Sequence, residues 1–446
     1  ALPFLASNLL QALYNMADML IVGQYCGPVG TSAVGIGGQV TILVTNLISG
    51  LAIGGTVVIA QLLGARRQQE VSRAVGTVFS LYGIAAVIMT VVMLLLSRPL
   101  LIALQTPAES FDDAYAYLII CMAGTLFVFG YNAVSAILRG MGDSRHPLLF
   151  VAIAAVTNIV LDIVFVGPLH MGAAGAAWAT IIAQALSFIL SIVFLRRNNF
   201  VFDFHPRSFR IDKPMVKELL AIGLPSSIQG TLVTVSFMVL TSIGNTVAGI
   251  VGSTALGIAG KVNSIAVLPA IAMQMSVSSM AGQNIGAGKP KRALKTMFVA
   301  IGLAFSISAA VFIGVNLFAE PIVTLFIGSN NGTLTADVVA QCITASVDYL
   351  HAISVEYLLI AAVFCINGLA MAAGQTLFSM ANGLVTALIL RVPMAYLLAM
   401  GWGLGLNGVA YAIPIATTGG LIIGVIYLLT GRWKVSRVKG IPAVLE

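Results

Sequence analysis

Ala60-Gln61-Leu62-Leu63-Gly64-Ala65-Arg66-Arg67 recurs 222 residues later as Gly282-Gln283-Asn284-Ile285-Gly286-Ala287-Gly288-Lys289, and Arg73 is answered by Lys295. The same offset carries Leu2-Pro3 to Leu224-Pro225, Ala33 to Ala255, Gly35 to Gly257 and Pro99 to Pro321. Further on the offset slides by about ten, and Gly172-Ala-Ala-Gly175-Ala-Ala177-Trp178-Ala179 returns as Gly405-Leu-Asn-Gly408-Val-Ala410-Tyr411-Ala412. A register kept over so long a stretch marks a duplicated unit.

Composition says what the unit is made of. Charged residues make up 8% of the 446, hydrophobic residues 59%, and the mean hydropathy is +1.03. A water-soluble domain carries about 25% charge, so this chain cannot cover itself with a hydrated surface. Apolar runs long enough to cross a bilayer, about 20 residues each, fall at 2–22, 32–62, 75–97, 113–138, 147–167, 174–195, 215–243, 252–282, 297–318, 346–368, 377–400 and 408–430. They are continuous, not alternating, and in lipid such runs satisfy their own backbone as helices. The expected fold is an all-α membrane protein with twelve transmembrane helices in two six-helix lobes related by an internal pseudo-two-fold repeat. The lobes read as 1–197 and 214–446, joined by a cytoplasmic linker at 198–213. The chain opens inside a span without Met, so a short N-terminal piece is expected to precede it, and Leu445-Glu446 reads as a cloning remnant.

The charges sort by side. Of 22 Lys and Arg, all but Arg98, Lys261 and Arg391 lie in alternate connections or the tail, whereas the opposite connections hold Glu109, Asp112, Asp113, Glu320 and Asp337. The basic set is cytoplasmic by the positive-inside tendency, which puts both termini inside an inner (cell) membrane. The formal charge of +7 is thus a topology signal and calls for no nucleic acid. Cys26, Cys121, Cys342 and Cys365 lack metal or redox spacing and read as packing residues. Gly and Ala allow close helix approach, and Pro225, Pro269, Pro393 and Pro414 interrupt spans. No nucleotide loop, zinc spacing or catalytic triad appears, so the chain reads as no enzyme, needs no cofactor, and draws energy from an ion gradient.

The informative residues are those that lipid should exclude. Asp18, Asp162, Glu356, Lys261 and Arg391 lie within spans, where a charge costs about 2.5–3.5 kcal/mol on insertion scales. Tyr14 lies one helical turn before Asp18, and Asn158 one turn before Asp162, each pair on one face. With Thr180 of the sixth span they make an all-oxygen set. Hard cations take oxygen ligands, and two neighbouring carboxylates cannot both ionise cheaply. The chemistry is that of a proton or Na⁺ site, with Asp18, Asn158, Asp162 and Thr180 as the ligands if the ion is Na⁺. Spacing alone does not bring spans one, five and six together.

Twelve spans in homologous halves, Pro3…Tyr14…Asp18 in the first, Arg139-Gly140-Met141-Gly142-Asp143 after the fourth and Asn158-Ile-Val-Leu-Asp162 in the fifth resemble the multidrug and toxic compound extrusion (MATE) family, over essentially the whole chain. The likeness is nearest to the DinF-like branch. It implies that Asp18, Asn158, Asp162, Thr180 and Tyr14 line one N-terminal-lobe cavity as a cation or proton site, and that Pro3 is the proline at which the first helix bends. The repeat mates of Asp18, Tyr14, Asp162 and Asn158 are Leu240, Ser236, Met394 and Leu390. The second lobe has lost the oxygen cluster, which favours a functional over a structural role. Glu356, eleven residues before Asn367-Gly368, resembles the tenth-helix carboxylate of the NorM branch. That branch's seventh-helix acid has no match: Val233 stands there, with Gln229 the nearest polar group. Glu356, Gln229 and Lys261 form a second candidate substrate or proton site, against a structural pairing of Glu356 with Lys261, Arg391 or His351.

The resemblance implies an ion-coupled multidrug efflux antiporter that exports amphipathic, mostly cationic compounds against protons or Na⁺, a single chain sufficing. The alternative is a lipid-linked glycan flippase of related architecture, which calls for several Arg in a large cavity. A non-transporting membrane partner is the remaining reading.

Overall fold

The computed structural model describes residues 2–104, 106–197, 200–327 and 336–436; Asn198, Asn199, Arg437, Lys439 and Leu445-Glu446 lie outside them. The first element, α1 (Leu2–Gly64), has 63 residues. Straight, it would run about 95 Å at 1.5 Å per residue, three times a hydrocarbon core of about 30 Å. It instead folds back: a Cβ placed on Gly35 would lie 3.6 Å from Met19 Cε, sixteen residues upstream. α1 therefore holds the first two spans. α7 (Lys213–Ala266) repeats the device, with its reversal at Gly249, φ 53° and ψ −130°. Only glycine takes that conformation cheaply. Three residues on, a side chain at Gly252 would collide with the Gly244 carbonyl oxygen.

Between them come α2 (Gln68–Ala103), α3 (Ala108–Ala123), α4 (Thr125–Gly140), α5 (Arg145–Val166) and α6 (Gly172–Arg197). After α7 follow α8 (Leu268–Gly286), α9 (Pro290–Leu317), α10 (Ala319–Ile327), α11 (Ala336–Ala372), α12 (Thr376–Leu384), α13 (Val392–Tyr396) and α14 (Gly405–Leu429). Among the described residues nine helices are long and apolar enough to span, ten with α3 and α4 taken as one span bent by 47°. The second spans hidden in α1 and in α7–α8 bring the total to twelve. No strand occurs among the described residues. The fold is the expected all-α membrane architecture.

The expected eleventh span is not a plain α-helix. π-helical turns at Val385–Arg391 and Leu397–Gly401 flank α13, and Pro393 at its second position contributes no N–H.

Two compact units result, Ala1–Ser227 and Ile228–Glu446, with the boundary inside α7. The first turns of α7 pack on α1 closely enough that a Cβ on Gly223 would lie 2.9 Å from the Gly50 carbonyl oxygen. In the first unit α1 packs against α2 through α6, over a core including Tyr131, Val134, Phe150 and Leu195. The second is built around α11, against α8, α9 and α14, over Leu240, Tyr349, Tyr357 and Val409. The polar connection after α6 docks on α2: Phe202, Phe204 and Phe209 ring Phe79 with centroids 6.0 Å away. At its tip Asp203 accepts from the His205 backbone N–H at 3.2 Å. The Ser208 hydroxyl also bonds that carboxyl and holds it below the ordinary carboxylate range.

The duplication survives in the corners. After α1, Arg66 N–H bonds Leu63 O at 3.0 Å and Arg67 N–H bonds Leu62 O at 3.0 Å; after α8, Gly288 bonds Ile285 O at 2.9 Å and Lys289 bonds Asn284 O at 2.8 Å. Both are Schellman caps, which need a left-handed residue; Arg66 has φ 60° and Gly288 φ 67°. Gly142 and Gly374, φ 89° and 74°, close the corners after α4 and α11 in the same way. This explains Arg139-Gly-Met-Gly-Asp143: Gly142 turns the chain, and Asp143 accepts from Arg145 N–H at 3.0 Å to start α5.

Candidate functional site

α1 packs against α5 and α6, and α5 against α6, so the three expected spans meet in the first unit. Asp18 and Tyr14 are buried on α1, Asn158 and Asp162 on α5, Asp162 completely. Asn158 Nδ2 donates to Thr180 Oγ1 of α6 at 3.4 Å. Asp18 lies in the neighbourhood of Asp162, and of Tyr117 and Cys121 of α3. The Tyr14 hydroxyl lies near the side chains of Gln11 and Gln184. The five residues singled out for this site thus lie on helices that pack together. Pro3 lies apart, in the first turn of α1, where a missing N–H costs nothing; its carbonyl accepts from Ser7 Oγ at 2.8 Å.

The hydrogen-bond ledger gives the cluster its character. Asp18 Oδ1, Asn158 Oδ1, both Asp162 carboxylate oxygens and Gln184 Oε1 are buried without a partner. Each such atom costs about 1–3 kcal/mol. All five are acceptors. A cation that takes oxygen ligands can satisfy several of them at once, and a bound proton neutralises one carboxylate and turns it into a donor to a neighbouring acceptor. No group of three or more His, Cys, Asp or Glu placed to hold a metal occurs among the described residues. What the cluster offers is two carboxylates and neutral oxygens, the chemistry of groups that take up a proton or a hard cation.

Two members escaped the sequence reading. Gln184 sits one turn after Thr180, the same spacing that tied Tyr14 to Asp18, so its signal was present. Tyr117 carried none; only packing brings it there.

The second lobe has apolar core at the corresponding positions: Leu240 is fully buried, and Met394 packs against the same cluster. Ser236 donates to Ala387 O at 2.6 Å. Its polar centre lies elsewhere. Glu356 Oε1 accepts from Arg391 Nη2 at 3.0 Å and from Thr417 Oγ1 at 2.9 Å. Glu356 and Gln229 line one cavity of about 280 Å³, together with Val233. Lys261 does not join them: it is exposed and stands over the Phe326 ring, 5.4 Å from its centroid.

The profile of the MatE family matches residues 3–164 and 225–397, once in each half. The chain is 28% identical over 434 residues to the probable multidrug resistance protein YpnP of Bacillus subtilis (strain 168), covering 97% of this chain and 94% of that one. Its backbone superposes with a TM-score of 0.90 on a solved MOP superfamily transporter from Pyrococcus furiosus, at 25% identity over 97% of this chain and 94% of that one. With a multidrug resistance MATE family transporter solved in an outward-facing conformation the TM-score is 0.89, at 26% identity over 97% and 94% of the two chains.

Proposed function

The chain belongs to the MatE family, a family of membrane transporters and not of enzymes, and from that premise we propose that it is an ion-coupled multidrug efflux antiporter. It exports amphipathic, mostly cationic compounds across the inner (cell) membrane, both termini cytoplasmic, in exchange for protons or Na⁺. Residues 1–197 and 214–446 act as its two lobes, joined by the cytoplasmic segment 198–213, and a monomer suffices.

The single observation that carries the coupling is the set of unpartnered acceptors around Asp18 and Asp162. A cationic compound and the coupling ion both seek those oxygens, and the two carboxylates cannot serve both at once. Binding of the ion from outside cancels the charge that holds the compound, and the compound leaves. Alternating access then returns the ion to the cytoplasm. Tyr14, Asn158 and Thr180 orient the carboxylates and complete the ligand set for Na⁺. Pro3, at the head of the same helix, allows it to bend when the charge changes.

The test is compound flux in proteoliposomes with the pH gradient and the Na⁺ gradient imposed independently. Export driven by one of them, and lost in Asp18→Asn and Asp162→Asn, supports the reading. Flux that ignores both gradients, or persists at wild-type rate in both variants, defeats it.

A further inference from the structure

Arg391 is a cation that its partner does not exhaust. It is 5% exposed and ends the π-helical turn Val385–Arg391; π turns inside helices recur at functional sites. A guanidinium carries five N–H donors in a rigid fork. Here Nη2 meets Glu356 Oε1, and the ring of Phe237 lies under the fork with its centroid 4.9 Å from Cζ. Nε and Nη1 are buried and without partner among the described residues. Glu356 itself is served twice, by Arg391 and Thr417. The pair is neutral as a whole, yet it keeps an open donor edge.

Arg391 lines a cavity whose about 280 Å³ lies near the lower end of small-molecule sites, about 300–1,000 Å³. The walls are mostly apolar, with Val233, Phe237, Ile360 and Phe364 among them. Three amide oxygens on the lining, Gln229 Oε1, Asn263 Oδ1 and Asn367 Oδ1, are also buried and unpartnered. The residues lining one cavity thus carry unmet donors at one group and unmet acceptors at three others, each needing only a small side-chain turn to reach a guest. A purely cationic guest would leave the Arg391 edge empty, and a purely anionic one would leave the amides empty.

We propose that this second-lobe cavity is a subsite for zwitterionic amphiphiles, with Arg391 receiving a carboxylate and the amides of Gln229, Asn263 and Asn367 accepting N–H from the cationic end. The cargo role of such a compound rests on the export reading; its binding does not. Glu356 then acts as the internal competitor, a carboxylate that holds the guanidinium until the guest's carboxylate arrives.

The experiment measures equilibrium binding to the purified full chain, with no ion gradient, by fluorescence anisotropy. The probes are rhodamine 110, with a free carboxylate and two amino groups, and its methyl ester. The readout is the ratio of the two affinities. Wild type is expected to prefer the free acid about tenfold or more, since a site built around a hydrogen-bonding group rejects the analogue lacking it. Glu356→Gln raises the ratio by freeing the guanidinium, and Arg391→Met combined with Glu356→Gln brings it to about one. The double variant removes both buried charges, so it stays interpretable if the single change impairs folding. A ratio near one in wild type, binding of neither probe, or an unchanged ratio in the double variant overturns the proposal. Gradient-driven efflux of the ester by wild type, measured separately, decides the export reading.

Discussion

Asp162→Asn should make the protein more stable and useless as an ion-coupled exporter. Asp162 is fully buried, and neither of its oxygens has a partner. An ionised carboxylate at membrane depth costs about 2.5–3.5 kcal/mol. If the coupling ion relieves that cost, removing the charge removes the same amount of ion affinity, about 60- to 300-fold. The substitution keeps the size of the side chain and adds an amide N–H₂ to a cluster in which Asp18 Oδ1 and Asn158 Oδ1 lack donors. The thermal midpoint in detergent, with the ion left out, should therefore rise, and gradient-driven export from proteoliposomes should fall below detection. Strain removed at a functional site commonly trades against function in this way. A structural carboxylate behaves oppositely: its loss lowers the midpoint and leaves the flux intact. That pair of results would refute the reasoning.

Thr180→Ala removes the side-chain partner of Asn158 Nδ2 and should weaken coupling-ion affinity by about 5-fold, one modest hydrogen bond, read as a shift in the ion concentration giving half-maximal export. Arg66→Gly relieves a left-handed non-glycine residue and should raise the thermal midpoint by the equivalent of about 1 kcal/mol, while Gly288→Ala should lower it by a similar amount. Gly223→Val pushes side-chain atoms into the Gly50 backbone; overpacking costs about 1–3 kcal/mol or more, seen as a lower midpoint or a lost monodisperse peak on size exclusion. Phe79→Ala removes the ring at the centre of three aromatic contacts and should speed limited proteolysis within residues 200–212; an unchanged cleavage rate would show that the connection is held by other contacts.

The spans, their pairing into halves and the two acidic residues of the first lobe were legible because each leaves a local trace: run length, repeat register, or charge where lipid forbids it. What escaped is set by packing. The reversal inside α1 was legible as the Gly/Pro-rich stretch between 22 and 32, but not that helical structure runs on through it. The connection after α6 reads as polar, yet its aromatic residues at alternate positions fasten it to α2. Tyr117 reaches the Asp18 neighbourhood only through the fold. Three cations or near-cations were open as partners for Glu356, and only coordinates single out Arg391, since α11 and the π-helical turn are far apart in sequence. The π geometry itself has no compositional signature at this length.

Those wide turns have a genealogical consequence. From Gly142 to Gly374 the two halves run 232 residues apart, and from Gly172 to Gly405 they run 233. The later half is therefore one residue longer between those glycines, and the span lying there is the one that holds both π segments. A π turn closes its ring one residue later than an α turn, so a helix can swallow an insertion without being broken. Residues beyond the swallowed position are rotated relative to their ancestral counterparts, and Asp162 then answers to Met394 when counted from one side and to Ala395 from the other. Divergence of the two halves can come from such a one-residue slip as well as from substitution.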